Sequence, residues 1–241
     1  MSLKREMRML KRLMGIGAKD DKQVQKTYEE HEYLDAYSRH TDMRVEEDPH
    51  EAVGGMWEEI GQLQFDFLVN EGLQSHHTML DLGCGTLRGG RHFIGHLNPG
   101  NYHGMDISPK ALEFARLLVE VEGLTDKSPH LVLSEDQNLQ FNEFADQTFD
   151  FILAQSVFTH LKPEHIEECF AHIGRIMHEG SAFYFTFFQG DKHEQTSVKD
   201  FRYEPSFFEE LAAKYNFDFE DCSERYVHPR SQVMVKVKKK K

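Results

Sequence analysis

The chain has 241 residues, 39% of them hydrophobic and 29% charged, which gives enough apolar content for a sizeable core and too much for a disordered chain. Its formal net charge is −13, and a body this acidic repels phosphate backbones, which argues against a large nucleic-acid substrate. No apolar stretch approaches the roughly 20 residues that a membrane-spanning helix needs. The start, MSLKREMRMLKRLMG, lacks the long apolar centre of a secretory signal. Cys84, Cys169 and Cys222 form no CxxC pair, so neither a disulfide framework nor a structural zinc site is expected and a cytoplasmic setting fits.

Positive charge gathers at the ends. Residues 1–14 hold Lys4, Arg5, Arg8, Lys11 and Arg12 against one acid, Glu6, and five lysines lie within 236–241. Leu3, Met7, Leu10 and Met14 recur at helical spacing, so residues 3–14 read as a basic amphipathic helix. Such a helix either covers a core or touches an anionic membrane surface. Residues 20–50 are polar and rich in His, Tyr and acids, and residues 1–53 are read as a helical, lid-like extension to a domain spanning 54–241. Within 56–71, Trp57, Ile60, Leu63, Phe67 and Leu68 fall largely on one helical face, and Gly72 closes the helix.

From residue 78 strands and helices alternate. Strands are expected at 78–82, 101–106, 130–133, 149–154, 182–188, 217–222 and 232–238. Between them, Ser108-Pro109 caps one helix and Pro163 opens another, with Ile166, Phe170, Ile173 and Met177 in register and Gly180 past its end. A further helix is expected near 205–215. Short apolar strands alternating with amphipathic helices imply an α/β fold, a doubly wound, mainly parallel seven-stranded sheet. Ligands bind such sheets beyond the carboxyl ends of their strands.

After the first strand comes Asp81-Leu82-Gly83-Cys84-Gly85-Thr86-Leu87-Arg88-Gly89-Gly90. A dinucleotide-binding loop wants glycine at its first, third and sixth positions. Counted from Gly83, the sixth position is Arg88, so the diphosphate pattern fails at its last glycine.

The phrase LDLGCG after a strand resembles motif I of the class I S-adenosylmethionine (SAM)-dependent methyltransferases. The family often has a further glycine where this chain has Leu87. The resemblance covers about residues 54–237 and implies a Rossmann-like sheet of order 3-2-1-4-5-7-6 with the last strand antiparallel. It implies SAM as cofactor, held by the loop residues Asp81, Gly83, Cys84 and Gly85. Asp106, which ends the second strand, would accept the ribose hydroxyls, and Ile107 would flank the adenine. Asp136 or the backbone of Gln137 would read the adenine edge, with Leu139-Gln140-Phe141 resembling the family's Leu-Pro-Phe element. Gln155 and Ser156 would meet the methionine part. Cys84 is read as a small loop-lining residue, not a nucleophile.

Methyl transfer to an alcohol, phenol or ammonium needs a base, and histidine suits neutral pH. His160, just past the fourth strand, is the first candidate, although it also suits a loop-fixing role. His193, in the polar segment 189–203 with Arg202 and Tyr203, is the second. Tyr28, His31, Tyr33, Tyr37, His40 and His50 of the extension are candidates for a lid. The fifteen histidines show no HExxH spacing, so no metal is expected. The function implied is methyl transfer to an oxygen or nitrogen of a small molecule. The alternatives are a protein, sugar or lipid-linked acceptor at a membrane surface, with residues 1–14 as anchor, and a non-catalytic SAM-binding module. Oligomeric state leaves no mark in the sequence.

Overall fold

A computed structural model describes residues 16–144 and 147–241, with the backbone alone over 16–21; the helix expected at 3–14 lies outside them. Helices α1 (Ile16–Glu30) and α2 (Tyr33–Glu47) come first, then a single turn, α3 (Pro49–Ala52). Asp48 opens that turn by accepting the amides of His50 and Glu51. Helix α4 (Trp57–Asn70) buries Ile60, Phe67 and Leu68. It ends where Gly72, at φ +103°, lets Leu73 N reach Leu68 O.

The sheet is built from β1 (Met79–Leu82), β2 (Tyr102–Asp106), β3 (His130–Leu133), β4 (Phe149–Ala154) and β5 (Met177–Gln189), which run parallel in the order β3-β2-β1-β4-β5. The last strand, β9 (Gln232–Lys239), lies antiparallel against β5, with Phe183 opposite Val237. Outside it runs β8 (Phe217–Asp221). This is the expected order with the final strand reversed. Helices α5 (Gly90–His96) and α6 (Pro109–Val121) carry the chain from β1 to β3. Helices α7 (Pro163–Ile173) and α8 (Pro205–Lys214) carry it from β4 to β8.

Strand alternation sorts the core onto two faces. Leu80, Leu82, Ile152, Phe183, Phe185 and Phe187 pack with Ile166 and Phe170 of α7 and Phe208 of α8. Met79, Phe151, Leu153 and Tyr184 face the other way, onto Phe67 of α4, Phe93 of α5 and Leu112 of α6. The switch in winding falls between β1 and β4, where a doubly wound sheet opens a crevice.

Two expectations need correction. The helix opened by Pro163 stops at Ile173, not past Met177: a tight turn over Gly174–Ile176 follows, and Met177 pairs with Phe149 in the sheet. Gly180 therefore lies within β5. The polar segment 189–203 is not only loop. It contains the hairpin β6 (Glu194–Gln195) and β7 (Phe201–Tyr203), and β7 extends the sheet beside the end of β5. The polar stretch 20–50, within the expected helical extension, is mostly the helices α1 and α2.

Candidate active site

Strand β1 ends in a turn that glycine makes possible. Gly83 has φ +70° and Gly85 φ +55°. A Cβ on Gly83 would stand 2.6 Å from Val157 Cγ2, and one on Gly85 would stand 2.7 Å from Val53 Cγ1, so neither position admits a side chain. Leu87 takes the same left-handed conformation at φ +67°, with its side chain fully buried among Phe93, Leu97 and Tyr102. The loop thus keeps the bend that a further glycine would give, at the cost of strain.

The loop's amides are turned inward. Gly83 N and Cys84 N donate to Met105 O at 2.8 and 3.1 Å, and Gly85 N donates to Asp106 Oδ2 at 2.8 Å. Asp106 Oδ1 accepts Ser108 N at 2.8 Å. These three amides are therefore spent within the protein and not offered to an anion, unlike those of a phosphate-cradling loop.

Above the loop lies a cavity with an empty volume of about 1060 Å³. Asp81, Gly83, Cys84 and Gly85 form one part of its lining; Asp106, Ile107 and Gln137 form another; Gln155 and Ser156 a third. Asp136 is exposed and outside this lining; Ser134, Asn138 and Leu139 line it beside Gln137. Gln137 and Ser156 hold φ of +49° and +60°, strain of the kind that collects at binding sites.

Electrostatics at the cavity are acidic. Asp81 accepts the hydroxyl of Tyr102 at 2.8 Å. Burial pushes its carboxyl up to about 7, against the lowering effect of that bond, and Asp106 pushes the same way. Burial also raises Asp106, opposed by the amides of Ser108 and Gly85. Burial and Asp106 raise the Cys84 thiol, which keeps it protonated. One buried and one partly buried carboxylate suit a positively charged ligand and disfavour a diphosphate.

Beyond β4, Gln155 and Ser156 belong to a hydrogen-bonded network. Tyr226 donates to Gln155 Oε1 at 2.7 Å. Gln232 Oε1 accepts from Gln155 Nε2, Ser156 Oγ and Thr186 Oγ1 at 3.1, 3.0 and 2.7 Å. Tyr226 and Gln232 were not legible from the sequence, because their bonds to Gln155 and Ser156 span more than 70 residues.

His160 closes this segment. Its Nδ1 lies 3.1 Å from Lys199 O and 3.0 Å from Asp200 Oδ1. Both are acceptors, so Nδ1 carries the proton and Nε2 is the basic nitrogen. Burial lowers the pKa of His160, Asp200 raises it through the hydrogen bond, and Lys199 lowers it. The imidazole is therefore neutral at neutral pH. Asp200 in turn is held far below the usual carboxylate range by bonds to His160 and Ser197, against burial.

A second cavity, with an empty volume of about 1260 Å³, adjoins the first. Tyr37, Val53, Arg88, Ser156 and His160 line both. His193 lines neither; it is exposed and packs on Phe201 and Tyr203 with ring centroids at 6.0 and 4.9 Å. Of the two histidines expected as bases, only His160 comes to the site.

The amino-terminal helices pack on this region. Tyr33 OH donates to His160 O at 2.6 Å, and Ser38 Oγ donates to Ile107 O at 2.7 Å. Asp42 accepts Ser108 Oγ and Lys110 N at the start of α6. Arg88 Nη1 donates to Val53 O and Gly55 O at 2.6 and 3.2 Å, which ties the glycine loop to the segment after α3.

Residues 79–180 match the family model of a methyltransferase domain. Residues 79–180 thus carry a methyltransferase domain, in a chain with the fold of the class I, SAM-dependent methyltransferases. Solved structures share this fold at low sequence identity. A SAM-dependent methyltransferase from Clostridium acetobutylicum is 15% identical, with a TM-score of 0.58 over 75% of this chain and 92% of that one. Magnesium protoporphyrin IX methyltransferase from Synechocystis, with bound S-adenosylhomocysteine (SAH), is 12% identical, with a TM-score of 0.64 over 86% and 100%. A phosphoethanolamine N-methyltransferase 2 from Haemonchus contortus, in complex with phosphomonomethylethanolamine and SAH, is 16% identical, with a TM-score of 0.63 over 83% and 58%.

The cofactor of the family is SAM, and the residues present fit it. The glycine bend leaves room, the loop amides face inward, and the acidic lining suits a cationic nucleoside. Among the described residues, no helix is long and apolar enough to cross a membrane.

Proposed function

We propose that the protein transfers a methyl group to an oxygen or nitrogen of a small-molecule acceptor, with SAM in the first cavity and the acceptor in the second. The observation that carries this reading is His160, which lines both cavities with its tautomer fixed by Asp200. The protoporphyrin and phosphoethanolamine enzymes among the structural neighbours are named for small acceptors, which supports the same class here.

Bound SAM supplies an electrophilic methyl group on a sulfonium, so the protein's task is placement and proton removal. Asp106 has acceptor positions beyond the two taken by Gly85 and Ser108 and takes the ribose hydroxyls. Ile107, Leu139 and Gln137 enclose the base. Asp81 meets the positive amino-acid end, where a cation stabilises its charged form. Gln155 and Ser156, fixed by Gln232, shape the floor beneath the reacting centre. Holding an acceptor in line is worth several kcal/mol, on the order of 7–11 in favourable systems. His160 Nε2 takes the proton that the acceptor loses, and Asp200 stabilises the imidazolium so formed. Tyr37 and Val53 exclude water from above.

Incubation of the protein with methyl-labelled SAM and a metabolite extract tests this. One small molecule should gain the label, and His160→Gln should abolish the gain without loss of SAH binding. A protein that binds SAH and labels nothing small would refute the reading in favour of a binding module or a macromolecular acceptor.

A further inference from the structure

The second cavity runs against the charge of the chain. The protein carries −13 overall, yet this cavity is lined by Arg44, Arg88, Lys199, Arg202 and Arg230 against two carboxylates, Glu51 and Asp200. Asp200 is already engaged by His160 and by Ser197 Oγ at 2.6 Å. The cations come from four separate places: helix α2, the glycine loop, the β6–β7 hairpin and the turn before β9. No helical or strand period forces them together.

Their contacts position the groups without cancelling their charge. Arg44 donates to Glu51 O at 2.7 Å, Arg202 to Gln189 O at 2.8 Å, and Arg230 to Gly54 O; all three acceptors are neutral carbonyls. Burial, then Arg88 and Arg230, bring His228 down to about 4. Burial, then Lys199 and Arg44, bring His40 down to about 4. Burial lowers Lys199, and Arg44 and Arg230 lower it further, against the opposing pull of Asp200. Two lining residues that are each 6% exposed also hold a buried N–H with no acceptor among the described residues, Arg88 at Nε and His228 at Nε2. The His228 tautomer follows from its Nδ1, which accepts Arg230 N at 3.1 Å.

We propose that this cavity binds a phosphoryl group on the methyl acceptor, with the phosphate among Arg44, Lys199 and Arg230 and the nucleophilic atom at His160. The proposal rests on the reading of His160 as the point where acceptor meets cofactor. A phosphomonoester carries about −1.5 to −2 at neutral pH and three acceptor oxygens. That suits a site whose cations outnumber its carboxylates by more than one, where a carboxylate would bring a single charge. Guanidinium forks also match phosphate geometry. The acidic exterior complements this: it repels polyanions, while the basic cavity admits one small anion.

Calorimetric titration of the full-length protein tests the proposal in two stages, first with SAH and then, on the SAH-loaded protein, with inorganic phosphate and with acetate. Phosphate should bind, and acetate should bind at least about tenfold more weakly. Lys199→Gln and Arg230→Gln should each weaken phosphate by roughly tenfold, the loss of one charge-assisted contact, with SAH affinity within about twofold of the parent protein. Flotation with phosphatidic acid vesicles separates the two sources of phosphate. Phosphate binding without flotation assigns a soluble phosphorylated acceptor, and flotation that free phosphate reverses assigns a lipid headgroup. SAH binding with no phosphate binding, or with acetate and phosphate equal, overturns the proposal and leaves the methyltransferase reading intact. Phosphate binding without SAH binding overturns that reading while keeping the anion site.

Discussion

Replacing Asp106 with asparagine tests the cofactor site at its most connected residue. The carboxylate takes Gly85 N on one oxygen and Ser108 N on the other, both at 2.8 Å. An amide of the same shape has one oxygen and one NH₂, so whichever way it turns, one backbone N–H faces another donor. An orphaned buried donor costs about 1–3 kcal/mol, and the variant should be less stable by that amount in urea denaturation. Binding suffers separately. The ribose loses a charged acceptor, worth about 1.5–3 kcal/mol, so SAH affinity should fall roughly 10- to 150-fold by calorimetry. A third effect has the opposite sign. The Asp106 charge helps to hold the Asp81 carboxyl up at about 7, so its removal should shift the Asp81 titration to lower pH. A folded Asp106→Asn protein that binds SAH within about twofold of the parent would refute the assignment of this residue to the ribose.

Leu87→Gly weighs backbone strain against packing: relief of the left-handed leucine is worth about 1–2 kcal/mol, loss of a fully buried leucine costs about 2–5, and a net loss of about 1–3 kcal/mol is expected in urea denaturation. Equal or greater stability would show that strain outweighs the core contact. Asp200→Asn should lower kcat by roughly 10²–10⁴-fold with little change in SAH affinity. Because Asp200 raises the His160 pKa, the acid limb of the residual pH–rate profile should move to lower pH; an unmoved limb would argue against the pair. Asp81, with a carboxyl near 7, is partly protonated at neutral pH, and a cation beside it favours the charged form. SAM binding at pH 7 should therefore release a fraction of a proton, seen as a binding heat that varies with buffer ionisation enthalpy, and the release should vanish at pH 9 and in Asp81→Asn.

The sheet was legible because each strand carries its own signal. Phe149–Ala154 is apolar throughout, and the glycine bend after β1 is a local event that residue types alone reveal. The residues proposed to hold the cofactor follow from that bend by resemblance, since most sit at strand ends whose positions the alternation fixes. What escaped notice depends on distant partners. Helix α2 buries Ala36, Ser38, His40 and Val45, a face too small and polar to show as an apolar stripe. Asp200 looks like a surface acid until the hairpin brings it to His160, 40 residues away. Asp136 is a conspicuous partner for an adenine edge in the sequence because it carries a carboxylate, yet the turn leaves it in solvent, and the cavity is lined instead by Ser134 and Asn138.

The division of labour in the site follows from these differences. Most of the first cavity's lining is built by β1, β2, β4 and the turns after β1, β2, β3 and β4, which the parallel sheet positions whatever the periphery does. Much of the second cavity is built by two additions to that sheet. The amino-terminal helices bring Tyr37, His40 and Arg44, and the β6–β7 hairpin brings Lys199, Asp200 and Arg202. The additions meet where Tyr33 OH bonds His160 O and Lys199 O, and where Phe201 N bonds Thr159 O beside the same histidine. The proposed base is thus held by the elements that form the proposed acceptor cavity. Changes in α2 or the hairpin can retune the acceptor while leaving the glycine bend and Asp106 untouched. Loss of either addition removes the acceptor cavity and the orientation of His160 together, and such a protein would still bind SAH without transferring a methyl group.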